Sequence, residues 1–315
     1  MNMKLIITIP AYNEEKTIDK VIKEIPRQID GIKTVEVLVI NDGSTDNTVT
    51  VAKNAGADWI TTLKTNRGLA FAFRTGLEAA LGKGADIIVN TDGDFQYNQK
   101  QIPDLIKPII EQKADIVLGS RFLGHIEHMS PQKRIGNIIA TRVTRMASKY
   151  PVTDAQTGFR AFSRDAALHM NILSEYTYVQ ETIIQAVNNN MTMVEIPIDF
   201  RKRDGKSRLM SGVFNYASRA TSTILRTYRD YQPITVFSLL GMLFILAGTV
   251  TGFRVFVHFL QTGMVAPYLP TAVLTTIFWI LGVQMFIFGL IADMIKTQRQ
   301  VQDEILYRLK KMKFG

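Results

Sequence analysis

Two apolar stretches near the C-terminus, Ile234 to Leu260 and Leu269 to Ile295, divide this chain into parts that must fold by different rules. Each is longer than the roughly 20 residues a helix needs to cross a hydrocarbon core. Inside such a core the backbone must bond to itself, so a helical hairpin is the expected form. The 200 or so residues ahead of it have the mixed composition of a water-soluble domain.

Charge follows the same division. The formal net charge is +9, yet residues 1–200 hold 22 basic and 23 acidic side chains, whereas residues 201–233 hold 8 and 2 and residues 296–315 hold 6 and 2. Residues 234–295 hold one of each. The basic excess therefore flanks the apolar stretches, which points to membrane phospholipid and away from nucleic acid. The connecting segment Gln261 to Pro267 carries no charge, so the Lys/Arg asymmetry predicts an integral membrane protein whose soluble domain and both termini are cytoplasmic. Cysteine is absent, which excludes a disulfide framework, a thiolate metal site and a cysteine nucleophile. The run Leu5 to Ile9 is too short for the core of a signal peptide.

Short β-branched runs alternate with longer helical patterns over residues 1–200, which predicts an α/β domain with a mostly parallel sheet. Strands are expected at 5–10, 35–41, 59–63, 87–90, 116–119 and 193–200, with helices near 16–25, 47–54, 68–81, 102–113, 131–149 and 179–189. The domains read as 1–210 catalytic, 211–232 a juxtamembrane amphipathic helix with Arg226 and Arg229 at phosphate level, 233–295 the hairpin and 296–315 a basic C-terminal helix.

Open α/β sheets bind ligands at the carboxyl ends of their strands. Three such ends carry unusual chemistry: Pro10-Ala11-Tyr12-Asn13-Glu14, Asn41-Asp42-Gly43-Ser44-Thr45-Asp46 and Asn90-Thr91-Asp92-Gly93-Asp94. Asp42 either accepts from the imide nitrogen of a uracil or guanine or simply belongs to a strand-to-helix turn. Asp92 and Asp94 offer hard oxygen ligands at a spacing that suits Mg²⁺ or Mn²⁺ on a substrate diphosphate.

Taken in order, Pro10-x-Tyr12-Asn13-Glu14, Asp42-Gly43-Ser44-x-Asp46, Asn66-Arg67-Gly68 and Asp92-x-Asp94-x-Gln96 resemble the inverting family 2 nucleotide-sugar glycosyltransferases of GT-A fold. Gly119-Ser120-Arg121, Asp154 to Phe159 and Arg201 to Ser207 look like the dolichol-phosphate mannose synthase group. The resemblance implies that Pro10, Tyr12, Glu14 and Asp42 bind base and ribose, and that Asp92, Asp94 and Gln96 form the metal and diphosphate motif. It implies that Arg121 and Arg134 hold a polyprenyl or dolichyl phosphate, and that Arg201, Arg203 and Ser207 belong to a loop closing over donor and acceptor. Asn41 stands where a second Asp is common, and Gln156-Thr157-Gly158 varies the usual small-residue run, so GDP-mannose and UDP-glucose both remain open as donors.

A phosphate monoester with a second pKa near ~6 is already ionised at neutral pH, so a strong general base is unnecessary. Glu181 either assists as a base or is a first-turn carboxylate favoured by the helix dipole. A processive polysaccharide synthase of the same fold would add a Gln-x-x-Arg-Trp motif, and the only tryptophans are Trp59 and Trp279. A non-catalytic nucleotide-sensing scaffold would not need the Asp92/Asp94 pair. His125-Ile126-Glu127-His128 lacks a third ligand and reads as surface loop. Gly248-x-x-x-Gly252 reads as packing within the hairpin, and Arg254 and Asp293 as snorkelling or mutually paired residues.

Overall fold

The computed structural model describes residues 3–172, 178–202 and 233–314. They form two compact units, residues 1–220 with 303–315, and residues 221–302. The expected amphipathic helix over 211–232, with Arg226 and Arg229, and the loop residues Arg203 and Ser207 lie outside the described residues.

In the first unit the strands are β1 (Met3–Ala11), β2 (Ile32–Asn41), β3 (Trp59–Thr62), β4 (Ile87–Asn90), β5 (Ile116–Ser120), β6 (Arg160–Ser163) and β7 (Met193–Pro197), in the sheet order β3-β2-β1-β4-β6-β5-β7. The helices are α1 (Ile18–Glu24), α2 (Thr48–Asn54), α3 (Leu69–Gly82), α4 (Ile102–Ile110), α5 (Pro131–Ser148), α6 (Arg164–His169) and α7 (Val179–Asn188). β1 pairs in parallel with both β2 and β4, so Ala11 lies level with Asn41 and Thr8 level with Asn90. That register brings three strand ends to one edge.

Helices cover both faces of the sheet, which is why its central strands read as unbroken apolar runs. On one face Ile6, Leu38, Ile40 and Ile88 pack with Phe73 and Leu77 of α3. On the other Leu5, Ile7, Ile9 and Val89 pack with Ile18 and Ile22 of α1 and Leu105 and Ile106 of α4.

The mostly parallel sheet agrees with the sequence reading, with two differences. β6 was not expected; it runs antiparallel to both β4 and β5. β7 stops at Pro197, where no N–H is available for the ladder, and Phe200 makes isolated bridges to Tyr97 and Ile126 instead. On α5, Ile135, Ile138, Ile139 and Met146 are exposed on one helical face beside exposed Arg134, Arg142 and Arg145.

Two further helices follow, α8 (Pro233–Thr262) and α9 (Leu269–Phe314). Both are long and apolar enough to cross a membrane. Within the second unit the glycines of α8 face the other helix: a Cβ at Gly248 would come 2.8 Å from Trp279, and one at Gly252 would come 2.8 Å from Thr275. Thr251 and Thr275 share a hydroxyl bond of 2.9 Å. The Gly248/Gly252 pair thus serves packing within the hairpin. Arg254 lies over the Tyr268 ring, at the end of the hairpin that holds the connecting loop. Asp293 sits toward the other end, four residues beyond Gly289, which meets Phe237 and Ile234, so the two charges do not pair. The second helix continues to Phe314 where the sequence suggested a span followed by a separate helix.

Gly43 has φ +70°, and a Cβ there would come 2.6 Å from the backbone carbon of Thr65. Gly43→Ala is expected to destabilise the domain by about 1–2 kcal/mol from the left-handed backbone alone, with the contact adding to it, measured as a lowered midpoint of chemical unfolding.

Candidate active site

The loops after β1 and β2 are stitched to each other. The Asn13 N–H donates to Ser44 Oγ at 3.0 Å, Asn13 Oδ1 accepts from the Thr45 N–H at 2.8 Å, and the Glu14 N–H donates to Thr48 Oγ1 at 2.8 Å. Thr17 then ties this pair to β4: its hydroxyl donates to Gly93 O at 2.7 Å and lies 3.1 Å from Glu14 Oε2. Pro10, Glu14 and the Asp92-Gly93-Asp94 turn are thereby one neighbourhood, with Tyr12 exposed at its rim.

Asp42 is buried, and its two oxygens accept the backbone N–H groups of Arg67 and Gly68 at 2.7 and 2.9 Å. It fixes the entry to α3 from the end of β2. An ionised carboxylate has about four lone-pair sites, which leaves capacity for a base N–H as well.

Asp92 and Asp94 are half-buried at the end of β4, and Asp94 Oδ1 accepts from the Gln96 N–H at 3.2 Å. A Cβ on Gly158 would come within 2.9 Å of Asp92 Oδ1, so the glycine leaves the carboxylate its space. Two hard oxygen donors in a turn kept clear by a glycine fit Mg²⁺ or Mn²⁺, which also takes substrate phosphates and water. Gln96 Nε2 donates to Arg201 O at 3.2 Å. Among the described residues no group of three or more acidic or histidine side chains suits a metal, and His125, Glu127 and His128 form none.

On the opposite half of the site two tyrosines that no motif contains, Tyr97 and Tyr178, join Asn90 and Gly158. Gly158 is gripped from both sides: its N–H donates to the Tyr97 hydroxyl at 2.8 Å and its carbonyl accepts from Asn90 Nδ2 at 2.9 Å, while Asn90 also donates to the Tyr178 hydroxyl at 2.8 Å. Burial, reinforced by the charge of Asp92, pushes both phenols up, so they stay neutral.

Arg121 is buried against a carboxylate. Its Nε and Nη2 fork onto Asp154 at 2.6 and 2.8 Å, with side-chain exposures of 4% and 0%. Burial opposes the charge, but Asp154 outweighs it and holds the guanidinium above its ordinary range. Of its five N–H donors, the two spent on Asp154 leave others for a phosphate. Glu195 supports the pair from β7 by accepting from the N–H groups of Thr153 and Asp154.

Arg160, fully buried, has carbonyl partners: Nε donates to Thr157 O at 2.9 Å, Nη2 to Ala155 O at 3.0 Å and Nη1 to Val179 O at 2.7 Å. It ties the 154–158 loop to the start of α7. Burial lowers its pKa to about 10, still charged at neutral pH.

Glu181 is buried in the first turn of α7 and accepts from Gln185 Nε2 at 3.3 Å. Arg134 is exposed on α5. Arg201 forks onto Glu24 at 2.7 and 2.8 Å and lies over the Phe95 ring. Trp59 sits in the outermost strand bonded to Glu36, remote from the strand ends just described.

A sequence model described as glycosyl transferase family 2 matches residues 6–169. The chain belongs to this family. Solved structures similar to it include glucosyl-3-phosphoglycerate synthase from Mycobacterium tuberculosis, with a TM-score of 0.56, 19% identity, and coverage of 72% of this chain and 79% of that one. That likeness establishes the GT-A fold. Among relatives, a UDP-N-acetylglucosamine–dolichyl-phosphate N-acetylglucosaminyltransferase of Methanococcus voltae is 33% identical over 62% of this chain and 85% of its own. An undecaprenyl-phosphate mannosyltransferase of Micrococcus luteus is 26% identical over 68% and 91%. A glycosyltransferase of Haloferax volcanii is 26% identical over 94% and 95%.

Asp154→Asn removes the anion from a buried pair and is expected to cost about 3–5 kcal/mol, read by chemical denaturation. The Glu24 contact gives a pH dependence. Burial raises the Glu24 carboxyl, but its bonds to Arg201 and the Gln99 N–H outweigh this and hold it below 4.5. A depressed folded pKa contributes stability above the unfolded value and loses it as pH falls through the folded one. Glu24→Gln should therefore lower stability at pH 7 and lower it progressively less as the pH falls below 4.5, measured by denaturation at each pH.

Proposed function

We propose that this family 2 glycosyltransferase transfers a hexose, mannose from GDP-mannose first and glucose from UDP-glucose next, to a polyprenyl or dolichyl monophosphate with inversion at the cytoplasmic membrane face. The observation that carries this reading is the parallel pairing of β2, β1 and β4, which sends Asp42, the Pro10 to Glu14 segment and the Asp92/Asp94 turn to one edge of the sheet in a chain that also has two membrane-length helices. Support comes from relatives whose names specify dolichyl-phosphate and undecaprenyl-phosphate acceptors. The exposed apolar face of α5 with its arginines suits a domain working against lipid headgroups.

In this reading Pro10, Tyr12, Glu14 and Asp42 bind base and ribose, and Asp92 and Asp94 hold Mg²⁺ or Mn²⁺ beside the donor diphosphate. Such an ion would neutralise charge growing on the leaving oxygens. Arg121, kept in place by Asp154, presents its remaining N–H groups to the acceptor phosphate, whose planar recognition suits a guanidinium. Arg134, Arg203 and Ser207 serve the acceptor phosphate, and Arg201 the donor. An ionised phosphate oxygen attacks the anomeric carbon, the bond from that carbon to the diphosphate oxygen breaks, and the electron pair leaves with the nucleoside diphosphate. Glu181 orients the acceptor or takes its residual proton.

Purified full-length protein, incubated with a polyprenyl phosphate, manganese and a panel of labelled nucleotide sugars, is expected to move one label into the organic phase. Chelation with EDTA should stop transfer. Asp94→Asn should lower kcat by about a hundredfold, equivalent to about 3 kcal/mol, with the unfolding midpoint retained. Undiminished transfer by that variant removes Asp94 from the site.

A further inference from the structure

The last turns of α9 belong to the same compact unit as the catalytic domain, and they are bonded to it in detail. The Tyr307 ring stacks on His169 with centroids 3.6 Å apart, and its hydroxyl donates to Asp165 Oδ1 at 2.8 Å. Phe314 rests near Gly82 and its carbonyl accepts from Arg164. These contacts would suffice to brace a helix.

Two other residues of the segment converge on one turn. Lys310 Nζ donates to Met170 O at 2.7 Å and lies 3.4 Å from Asn171 Oδ1, and Asp303 Oδ1 accepts from Asn171 Nδ2 at 2.8 Å. Asn171 is in turn locked to α7 through a reciprocal pair. Its N–H donates to Gln185 Oε1 at 2.7 Å and its carbonyl accepts from Gln185 Nε2 at 2.6 Å. The same Nε2 reaches Glu181 Oε1 at 3.3 Å, and Gln185 and Glu181 are each only 6% exposed. The amide is thereby oriented: with both its oxygen and its nitrogen claimed by Asn171, Gln185 presents an N–H to the carboxylate rather than a carbonyl.

We propose that Asp303 and Lys310 are positioning residues of the transferase: the C-terminal segment grips the 170–171 turn and, through Asn171 and Gln185, sets the Glu181 carboxylate at the acceptor side of the site. The proposal rests on the acceptor-side role given to Glu181 above. A buried group misplaced by about 1 Å can cost a reaction about a hundredfold, so a bond this far from the chemistry can act on rate. Coupling through a contiguous network requires a direct energetic test.

The test uses full-length protein in nanodiscs and the variants Lys310→Met, Asp303→Asn, Glu181→Gln and the Glu181→Gln/Lys310→Met double variant, with Tyr307→Phe as a brace that lies off the relay. Lys310→Met and Asp303→Asn are expected to lower kcat about five- to tenfold at unchanged donor KM, and to raise amide hydrogen exchange across residues 178–188. Tyr307→Phe should leave kcat unchanged. The double variant should be no slower than Glu181→Gln alone, since two members of one relay are not additive. Additive losses, a Glu181→Gln chain as fast as the wild type, or a lowered unfolding midpoint with unchanged kcat and exchange would each overturn the proposal. If wild-type protein moves no sugar to polyprenyl phosphate, the functional reading fails by itself, and the exchange measurement alone decides the relay: unchanged exchange sinks it, raised exchange sustains it.

Discussion

The level register of β1 between β2 and β4 is the constraint on which the site depends. Parallel pairing sends all three strands toward the same edge, and complete burial of Leu5, Ile7 and Ile9 on one face and Ile6 on the other forbids a one-residue slip. Once that register is set, the distance between Asp42 and the Asp92/Asp94 turn follows from strand spacing. Short polar ties through Thr17, Ser44 and Thr48 then hold loops that have little apolar surface of their own.

The other half of the site is organised by buried cations. Arg121 takes a carboxylate, whereas Arg160 takes backbone carbonyls, and the difference suits their positions. A forked ion pair fixes the orientation of a planar group beside the site. Carbonyl partners from residues 155, 157 and 179 instead draw a loop and a helix start onto one centre. Neither arrangement gains much energy over apolar packing, but loss of either partner leaves a desolvated polar group uncompensated.

Much of the donor side was legible because its signals are local. Strand, turn and acid follow each other within a few residues in Val39 to Asp46 and in Ile87 to Asp94, and helix boundaries such as Val179 and Pro131 fell where expected. What the sequence concealed depends on contacts between distant positions. Arg121 and Asp154 are 33 residues apart, and nothing near either announces the other. β6 was missed because Arg160-Ala161-Phe162-Ser163 is too short and too polar for period-two alternation, and its arginine is satisfied by the segment just before it and by the start of α7. The length of α9 did have a signal, since no glycine or proline interrupts residues 290–314, but the change from apolar to basic composition looked like a boundary.

Because β6 alone among the strands runs against the others, it enters the sheet from the very edge where its neighbours exit. Its lead-in, residues 154–159, therefore reaches the cleft as an approach to a strand rather than a departure from one. Sequence changes in that approach bear directly on the end of β4, since Gly158 bonds to Asn90 and leaves Asp92 its space. The two walls are joined at that glycine, so a side chain added there is felt on both.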